Sequence, residues 1–594
     1  MNDAPALIIL GNGSLPTARR IQAACPGSII YGLASRVQGA DQAYAVFGET
    51  IRDFFARDVP IVAFCASGII IRSLAPLLHN KRAEPPVLAV AEDGSAVVPL
   101  LGGLRGVNML ARRIGEALSV LPAITTTGEI RFRSALEHPP VGYVLRNPDD
   151  GKRFMSDLLA GATVKIIGDA PWLAQMSLPQ DDNGSLCIRI TDREQAPAFN
   201  ELIYHAQTVV VAVASSQDFH SQDFGAQSFG AEGLNAEKTS LLSKVETALA
   251  SAHLSRHAVA QLLIPEADAA QFALHDLASW FGGSLRLIEA DQVRAAAHFA
   301  RMAVPDPRDF INISETITIA VAHRPEDIVP VGRPRGRLAV VGIGPGASTS
   351  MTMTVKEELH HAQDIVGYQY YVDLAGPFRS DQVVHASDNR VEKERACLAF
   401  RLAAQGRRVV VVSSGDPGIF AMASAVMEVL HLEAEPTWQS VELIIQPGVS
   451  AAQAAAARSG APLGHDFCVL SLSDNLKPWS VIEKRLHHVS AADLVIALYN
   501  PASLARPYAF SQALSILRHY RDAKTPVVLG RNIDRTDETL IVTTLGEMET
   551  HPIDMRTVVL IGSSLTQTVS RMDGGAWVYT PRWYQEASRT TMDL

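Results

Sequence analysis

Val409-Val410-Val411-Val412-Ser413-Ser414-Gly415-Asp416-Pro417-Gly418-Ile419-Phe420 is the stretch whose reading decides the fold. Four consecutive valines show no polar alternation, so the run reads as a strand buried on both faces, the environment of a central parallel strand. Ser-Gly-Asp-Pro-Gly then ends it. Gly415 and Gly418 allow close backbone approach, Pro417 removes an N–H, and the turn falls at the carboxyl end of a strand, where open α/β sheets bind ligands. Asp416 can accept hydrogen bonds there from a ribose or an amino group, or it can form an Asx turn into the next helix.

The same strand-turn-helix grammar recurs on either side. Leu338-Ala339-Val340-Val341-Gly342-Ile343-Gly344-Pro345-Gly346-Ala347 reads as a strand entering a glycine-rich loop, with a helix predicted from near Thr354. Alone it fits the dinucleotide pattern G-x-G-x-x-A. Two details oppose that reading: Pro345 has no N–H for a phosphate, and Asp364 precedes the apolar pair Ile365-Val366 where a ribose-binding acid should follow a strand. Gln446-Pro447-Gly448-Val449-Ser450-Ala451-Ala452, Leu498-Tyr499-Asn500-Pro501, Pro526 to Arg531-Asn532 and Val558-Val559-Leu560-Ile561-Gly562-Ser563-Ser564 complete the series. Further β-branched runs at 6–10, 61–64, 87–90, 164–167, 208–213 and 494–498 alternate with alanine-rich helical stretches, which predicts α/β layers throughout.

With 594 residues and roughly 150 residues per domain, the chain has room for about three to five domains. Hydrophobic residues at 47% and charged residues at 19% exclude a disordered chain, and no apolar run is long enough to span a bilayer. The start lacks a signal-peptide pattern, so a cytoplasmic protein is expected. A net charge of -10 opposes nucleic-acid binding. Cys25, Cys65, Cys187, Cys397 and Cys468 lie far apart at neither metal-ligand nor redox spacing, so disulfides and a metal site lack support. Residues 326–337, with two prolines, two glycines and three arginines, suit a linker more than a packed element. Ser-Gln-Asp-Phe at 216–219 repeats at 221–224, followed by the related Gln227-Ser228-Phe229-Gly230, which reads as a locally duplicated surface loop.

The ordered series G-x-G-P-G, S-G-D-P-G, P-G-V-S, Y-N-P, R-N and I-G-x-S resembles the tetrapyrrole methylases over residues 337–594. Val366 to Val372, Ser414 to Ala423, Tyr499-Asn500-Pro501 and Thr580-Pro581-Arg582 are similar to the precorrin-3B C(17)-methyltransferase branch, with Ser563 standing where that branch commonly has Asn. The resemblance implies an S-adenosylmethionine-dependent enzyme of cobalamin synthesis that methylates C17 of precorrin-3B and contracts the ring to precorrin-4. It also implies two unequal α/β subdomains in a homodimer. Pro345, Ser414, Gly415, Asp416, Ile419, Ser450, Ala451, Asn500 and Asn532 would line the cofactor pocket, and Gly342, Gly344 and Gly346 would shape the floor beneath the tetrapyrrole. Ring contraction needs a base and a donor, for which His465, Asp466, Asp534 and Glu538 are candidates. Lys477, Arg506, Arg531, Arg535 and Arg582 are candidate clamps for the substrate's carboxylates.

Residues 61–113 contain Cys65-Ala66-Ser67-Gly68-Ile69-Ile70-Ile71-Arg72 and Pro99-Leu100-Leu101-Gly102-Gly103-Leu104-Arg105-Gly106-Val107-Asn108, which resemble cobalt-precorrin-5A hydrolase. Relatives commonly have Gly-Gly-His where this chain has Gly102-Gly103-Leu104, and leucine shuttles no proton. Ser67, Arg72, Lys81, Arg105 and Asn108 are the polar candidates there. The expected organisation is α/β and multidomain: hydrolase-like cobalamin-pathway domains at 1–120, 121–214 and 215–330, then a two-subdomain methylase fold at 337–450 and 451–594. Two alternatives stay open, a methylase of another precorrin carbon and an amino-terminal half that only binds or channels tetrapyrroles.

Overall fold

The computed structural model describes residues 4–78, 84–132, 136–137, 139–214, 242–268, 272–282, 284–289, 295–346, 350–376, 378–379, 381–388, 391–433, 435–502 and 508–583. The duplicated segment at 216–230 lies outside them. The chain divides into two compact units, Met1–Arg335 with Arg379–Asp381, and Gly336–Phe378 with Gln382–Leu594.

In the second unit the valine run forms Arg408–Ser413, the middle strand of an all-parallel sheet in the order Val383–Ser387, Asp364–Tyr368, Arg408–Ser413, Arg337–Gly342, Glu442–Gln446. Its lack of alternation has a packing cause. Val409 and Val411 join Phe400 and Met422 in one core, whereas Val410 and Val412 join Val355 and Val372 in another, so both faces are apolar. A second sheet, mixed in direction, runs Phe467–Ser471, Val495–Tyr499, Thr557–Ile561, Pro526–Arg531, Thr539–Thr544. The helix predicted from near Thr354 is Met353–His361, its first turn capped by the Thr352 hydroxyl, which accepts from Val355 N at 3.3 Å. Asp364 is a buried anchor: it bonds His385 Nε2 at 2.9 Å and pairs with Arg407.

The first unit contains three sheets. Gln42–Tyr44, Ile29–Leu33, Ala6–Ile9, Ile61–Phe64 and Val87–Val90 are parallel in that order, with Val97–Leu101 added antiparallel at the edge. The order reverses between Ala6–Ile9 and Ile61–Phe64. A four-stranded sheet of Tyr143–Leu145, Glu201–Ala206, Leu186–Thr191 and Val164–Ile167 follows. The third has the order Asp309–Ser314, Ile317–Val321, Val209–Val213, Val259–Pro265, Ser284–Ile288, Arg333–Pro334. The last of these corrects the linker reading of 326–337: Arg333–Pro334 pairs antiparallel with Arg286 and Leu287, and Arg333 forms an ion pair with Glu266. Among the described residues no helix is long and apolar enough to cross a membrane.

Between the second and third of these sheets lies a buried polar relay. The Ser255 hydroxyl donates to Glu194 Oε2 at 2.6 Å and lies 3.4 Å from His205 Nε2, while His205 Nδ1 is 3.3 Å from Thr191 O. His257 stacks on His205 with ring centroids 5.7 Å apart. Burial, then the neighbouring His257, lowers His205 to about 4, and burial with Arg146 and Arg256 lowers His257. The folded state therefore binds fewer protons than the unfolded chain between about pH 6.5 and 4. This contribution to stability is complete above that window and is lost as pH falls through it. Pulse proteolysis in urea should show the first unit losing about 2–3 kcal/mol between pH 7 and 4.5. A His205→Gln variant should show a flatter pH dependence, and an equal slope in both proteins would remove the histidine pair as the cause.

Candidate active site

Three strands end where their chains must pass within a backbone's thickness of one another. A Cβ on Gly342 would stand 2.4 Å from Gly415 O and 2.8 Å from Gly448 N, and one on Gly448 would stand 2.2 Å from Gly415 O. Gly344 N donates to Gly415 O at 3.2 Å, and Gly415 N donates back to Gly344 O at 2.8 Å. Only glycine fits at Gly342 and Gly448. Asp416 ties the arrangement together: Oδ1 accepts from Gly418 N at 2.8 Å and Oδ2 from Gly448 N at 3.1 Å. Its Asx-turn role and its loop-bridging role are thus both realised, with acceptor capacity left on each oxygen. Gly415 itself has φ +65°, and a Cβ there would lie 3.8 Å from Ser450 Cα, so a gap remains between this turn and the next helix.

That helix, Ala451–Ser459, is capped reciprocally: Ser450 Oγ accepts from Gln453 N at 3.2 Å, and Ser450 N donates to Gln453 Oε1 at 3.0 Å. Ala452 N donates to Tyr499 Oη at 2.9 Å. Burial raises the Tyr499 phenol above its ordinary pKa, the Ala452 amide and Ser450 opposing it and Asp416 adding to it, so the hydroxyl stays protonated at neutral pH. Three polar residues at strand ends of the second sheet hold positive φ: Asn500 at +53°, Asn532 at +49° and Asp534 at +63°, a conformation that Asn and Asp tolerate better than most. Asn500 Nδ2 donates to Ser471 Oγ at 3.0 Å, and Asn532 Nδ2 to Asp537 Oδ2 at 2.6 Å.

The two subdomains of this unit meet through hydrogen bonds made by Asp534 and Arg535. Asp534 accepts from the Ser350 hydroxyl and pairs with Arg458, and its own N–H donates to Glu538 Oε2 at 2.7 Å. Burial works against its charge, but Ser350 and Arg458 outweigh it and hold the carboxyl below the usual range. Arg535 lies across Gly346, donating to Pro345 O at 3.0 Å and to Tyr370 Oη at 2.6 Å.

The predicted residues therefore separate. Pro345, Ser414, Gly415, Asp416, Ile419, Ser450, Ala451 and Asn500 lie on the converging turns, and Asn532 and Asp534 sit at the neighbouring strand end. Gly342, Gly344 and Gly346 sit at backbone and side-chain crossings. Asp534 and Glu538 form the Arg458 cluster, and a carboxyl with a lowered pKa is an anchor more than a base. His465 and Asp466 stand at the amino end of Phe467–Ser471, opposite to the end carrying Ser471, and the Asp466 side chain is largely exposed; the structure does not bring them to the turns. Arg531 is engaged by Asp554 at 3.0 Å and Asp537 at 3.6 Å, so it is no open clamp. Lys477 stays beside the site, Arg582 is exposed, and Arg506 lies outside the described residues. In the first unit Ser67 opens the helix Ser67–Leu74, which carries Arg72, at the carboxyl end of Ile61–Phe64. Arg105 pairs with Asp58, Asn108 is buried in Val107–Leu118, and Lys81 lies outside the described residues.

Sequence reasoning missed Tyr499 and Gly448 as functional positions although both lay inside quoted motifs. It also missed Ser350, Tyr370 and Arg458, whose partners are distant in sequence and carry no local signal.

The family described as tetrapyrrole (corrin/porphyrin) methylases matches residues 337–549, and that described as cobalamin synthesis G N-terminal matches residues 49–129. A precorrin-3B C(17)-methyltransferase of a Sinorhizobium species is 50% identical over 254 residues, 43% of this chain and 99% of the relative. The cobalamin biosynthesis protein CobIJ of Mycobacterium tuberculosis is 48% identical over 44% of this chain, which spans about half (52%) of that relative. The crystal structure of the methyltransferase CobJ is 47% identical, covering 41% of this chain and 100% of that one, with a TM-score of 0.39.

The glycine crossing gives a contrast between two substitutions. Gly448→Ala, whose methyl would meet Gly415 O and Gly342 O at 2.2 and 2.5 Å, should cost about 2–3 kcal/mol and lower Tm by roughly 5–10 °C. Gly415→Ala meets nothing closer than 3.8 Å and should cost only the left-handed penalty of about 1 kcal/mol. Calorimetric scans of both variants check this, and equal losses would contradict the steric account.

Proposed function

We propose, from the premise that this chain belongs to the tetrapyrrole methylase family, that its carboxy-terminal unit transfers a methyl group from S-adenosylmethionine to C17 of precorrin-3B, with ring contraction to precorrin-4. The observation that carries the reading is the gap bounded by Gly415, Ser450 and Tyr499, backed by half-identity to a methyltransferase of that name over nearly its whole length. The residues fit the donor. Gly415 leaves open the volume a side chain would fill, and Ser414, Asp416 and Tyr499 offer the mixed donors and acceptors suited to ribose hydroxyls and an amino-acid group.

When bound, S-adenosylmethionine supplies an electrophilic methyl on a sulfonium. The chain's own work is positioning, because in-line displacement gains most from fixed orientation and excluded water. Asp416 holds the two turns at a set spacing, Ser450 and Tyr499 fix the start of Ala451–Ser459, and the Asp534–Ser350 and Arg535–Tyr370 contacts hold the second subdomain against the first. Asp534, kept ionised, orients Arg458 and Ser350, and Glu538 accepts from the Asp534 N–H beside them. For residues 1–335 we infer a tetrapyrrole-handling role in the same pathway, with Leu104 in place of histidine disfavouring lactone hydrolysis. A cytoplasmic homodimer formed through the methyltransferase unit completes the reading.

Incubating the full chain with precorrin-3B and methyl-labelled S-adenosylmethionine should give a product with the label at C17 by NMR. Label at another carbon would reject the regiochemistry. Asp416→Asn leaves one of two backbone amides without its acceptor and removes a charge-assisted bond, so S-adenosylhomocysteine affinity should fall about 10- to 100-fold by titration calorimetry. Wild-type affinity in that variant would remove Asp416 from the pocket.

A further inference from the structure

Phe420 breaks two local rules at once. Its φ is +53°, the left-handed region that bulky side chains avoid, and the residue is 52% exposed although the turn before it leaves a strand buried from Val409 to Ser413. A large residue held in an unfavourable backbone conformation so as to display, and not bury, its side chain is the kind of inconsistency that accumulates where a ligand is handled. The surroundings say what kind of ligand. Tyr499 meets the Phe420 ring edge-on, with centroids 5.8 Å apart and planes at 62°, so the ring is held from below by a residue of the pocket wall. The Lys477 ammonium stands 5.8 Å from the Phe420 centroid, and burial followed by Arg485 lowers its pKa. Leu476, one residue earlier, is 99% exposed.

From these residues we infer that Phe420 and Leu476 form a ledge on which a flat apolar ring face rests, with Lys477 pairing with a carboxylate at the edge of that ring. The inference rests on the methyltransferase reading and extends it: the ledge assigns the acidic macrocycle to the Phe420 side of the turn, leaving the Gly415 side for the methyl donor. The occupant follows from chemistry. An ammonium whose neighbours are aromatic and whose nearby charge is another cation attracts an anion, and an exposed ring edge-braced by a second ring offers a stacking face worth a severalfold gain in affinity to any planar partner. A planar, multiply carboxylated pigment satisfies both. Phe420 is accordingly a positioning and specificity residue, with no proton or electron to exchange.

The test uses the full chain and two separate probes: a planar octacarboxylated porphyrin, followed by fluorescence quenching, and S-adenosylhomocysteine, followed by calorimetry. Phe420→Ala and Phe420→Gly should each weaken porphyrin binding at least about fivefold while changing S-adenosylhomocysteine binding less than about twofold. Phe420→Gly relieves the backbone conformation, so its Tm should equal or exceed that of the wild type. Lys477→Gln should weaken porphyrin binding and flatten its salt dependence. Unchanged porphyrin affinity in both Phe420 variants overturns the ledge. So does a parallel loss of both ligands with a lower Tm, since that marks a packing residue. If the wild-type chain binds porphyrin through Phe420 but never S-adenosylhomocysteine, the ledge stands and the methyltransferase reading fails.

Discussion

Everything in the second unit depends on three backbones crossing at Gly342, Gly415 and Gly448. At Gly342 and Gly448 there is no space for a methyl group, because a Cβ would fall 2.2–2.8 Å from a neighbouring backbone atom, Gly415 O among them. The crossing is possible because the three strands are adjacent and parallel, so their carboxyl ends emerge together. It has a chemical result: Asp416 can reach the amide of its own turn and the amide of the next with one carboxylate. A side chain that would otherwise be a surface Asx turn becomes the link that sets the width of the pocket.

The second constraint is polar and acts where the subdomains of that unit meet. Asp534 and Arg535 are sequence neighbours at the end of Pro526–Arg531, yet they bind opposite features: Asp534 takes Ser350 and Arg458, and Arg535 takes Pro345 O and Tyr370. The positive φ at Asn532 and Asp534 is what turns the chain so that consecutive side chains diverge in this way. Ion pairs of this type specify geometry more reliably than they add stability, because desolvation offsets much of their attraction.

How much was legible in the sequence follows from the range of the interactions. The valine run announced its own environment, since burial on both faces requires apolar residues at every position, and Val409 to Val412 do divide between two cores. The S-G-D-P-G and P-G-V-S turns were legible for the same local reason. Tyr499 was harder to assign. Its role comes from an amide at Ala452, 47 residues away, and no periodicity encodes that contact. Asp534 and Arg531 were visible as charges, but their pairing was not, because their partners at Ser350, Arg458, Asp537 and Asp554 emerge only when the sheets are assembled. The segment ending in Arg333–Pro334 misled in the opposite sense: its prolines and glycines suit a linker, yet two residues suffice to add an edge strand to Ser284–Ile288.

The pairing of charge also explains how an acidic chain can present a site for an acidic ligand. Arg337 is consumed by Glu358 and Glu442, Arg407 by Asp364, Arg458 by Asp534, and Arg531 by Asp554 and Asp537. Paired guanidiniums contribute almost nothing to the potential outside their pair, so counting arginines overstates the field at the mouth of the pocket. A cation without an acidic partner, set near a low-dielectric aromatic wall, counts for more, because little water screens it. Among the described residues Lys477 beside Phe420 is such a cation, and its lowered pKa reports the poor solvation that strengthens its attraction for a carboxylate. Positive charge is therefore selected by where it is left unpaired, not by how much of it the sequence contains.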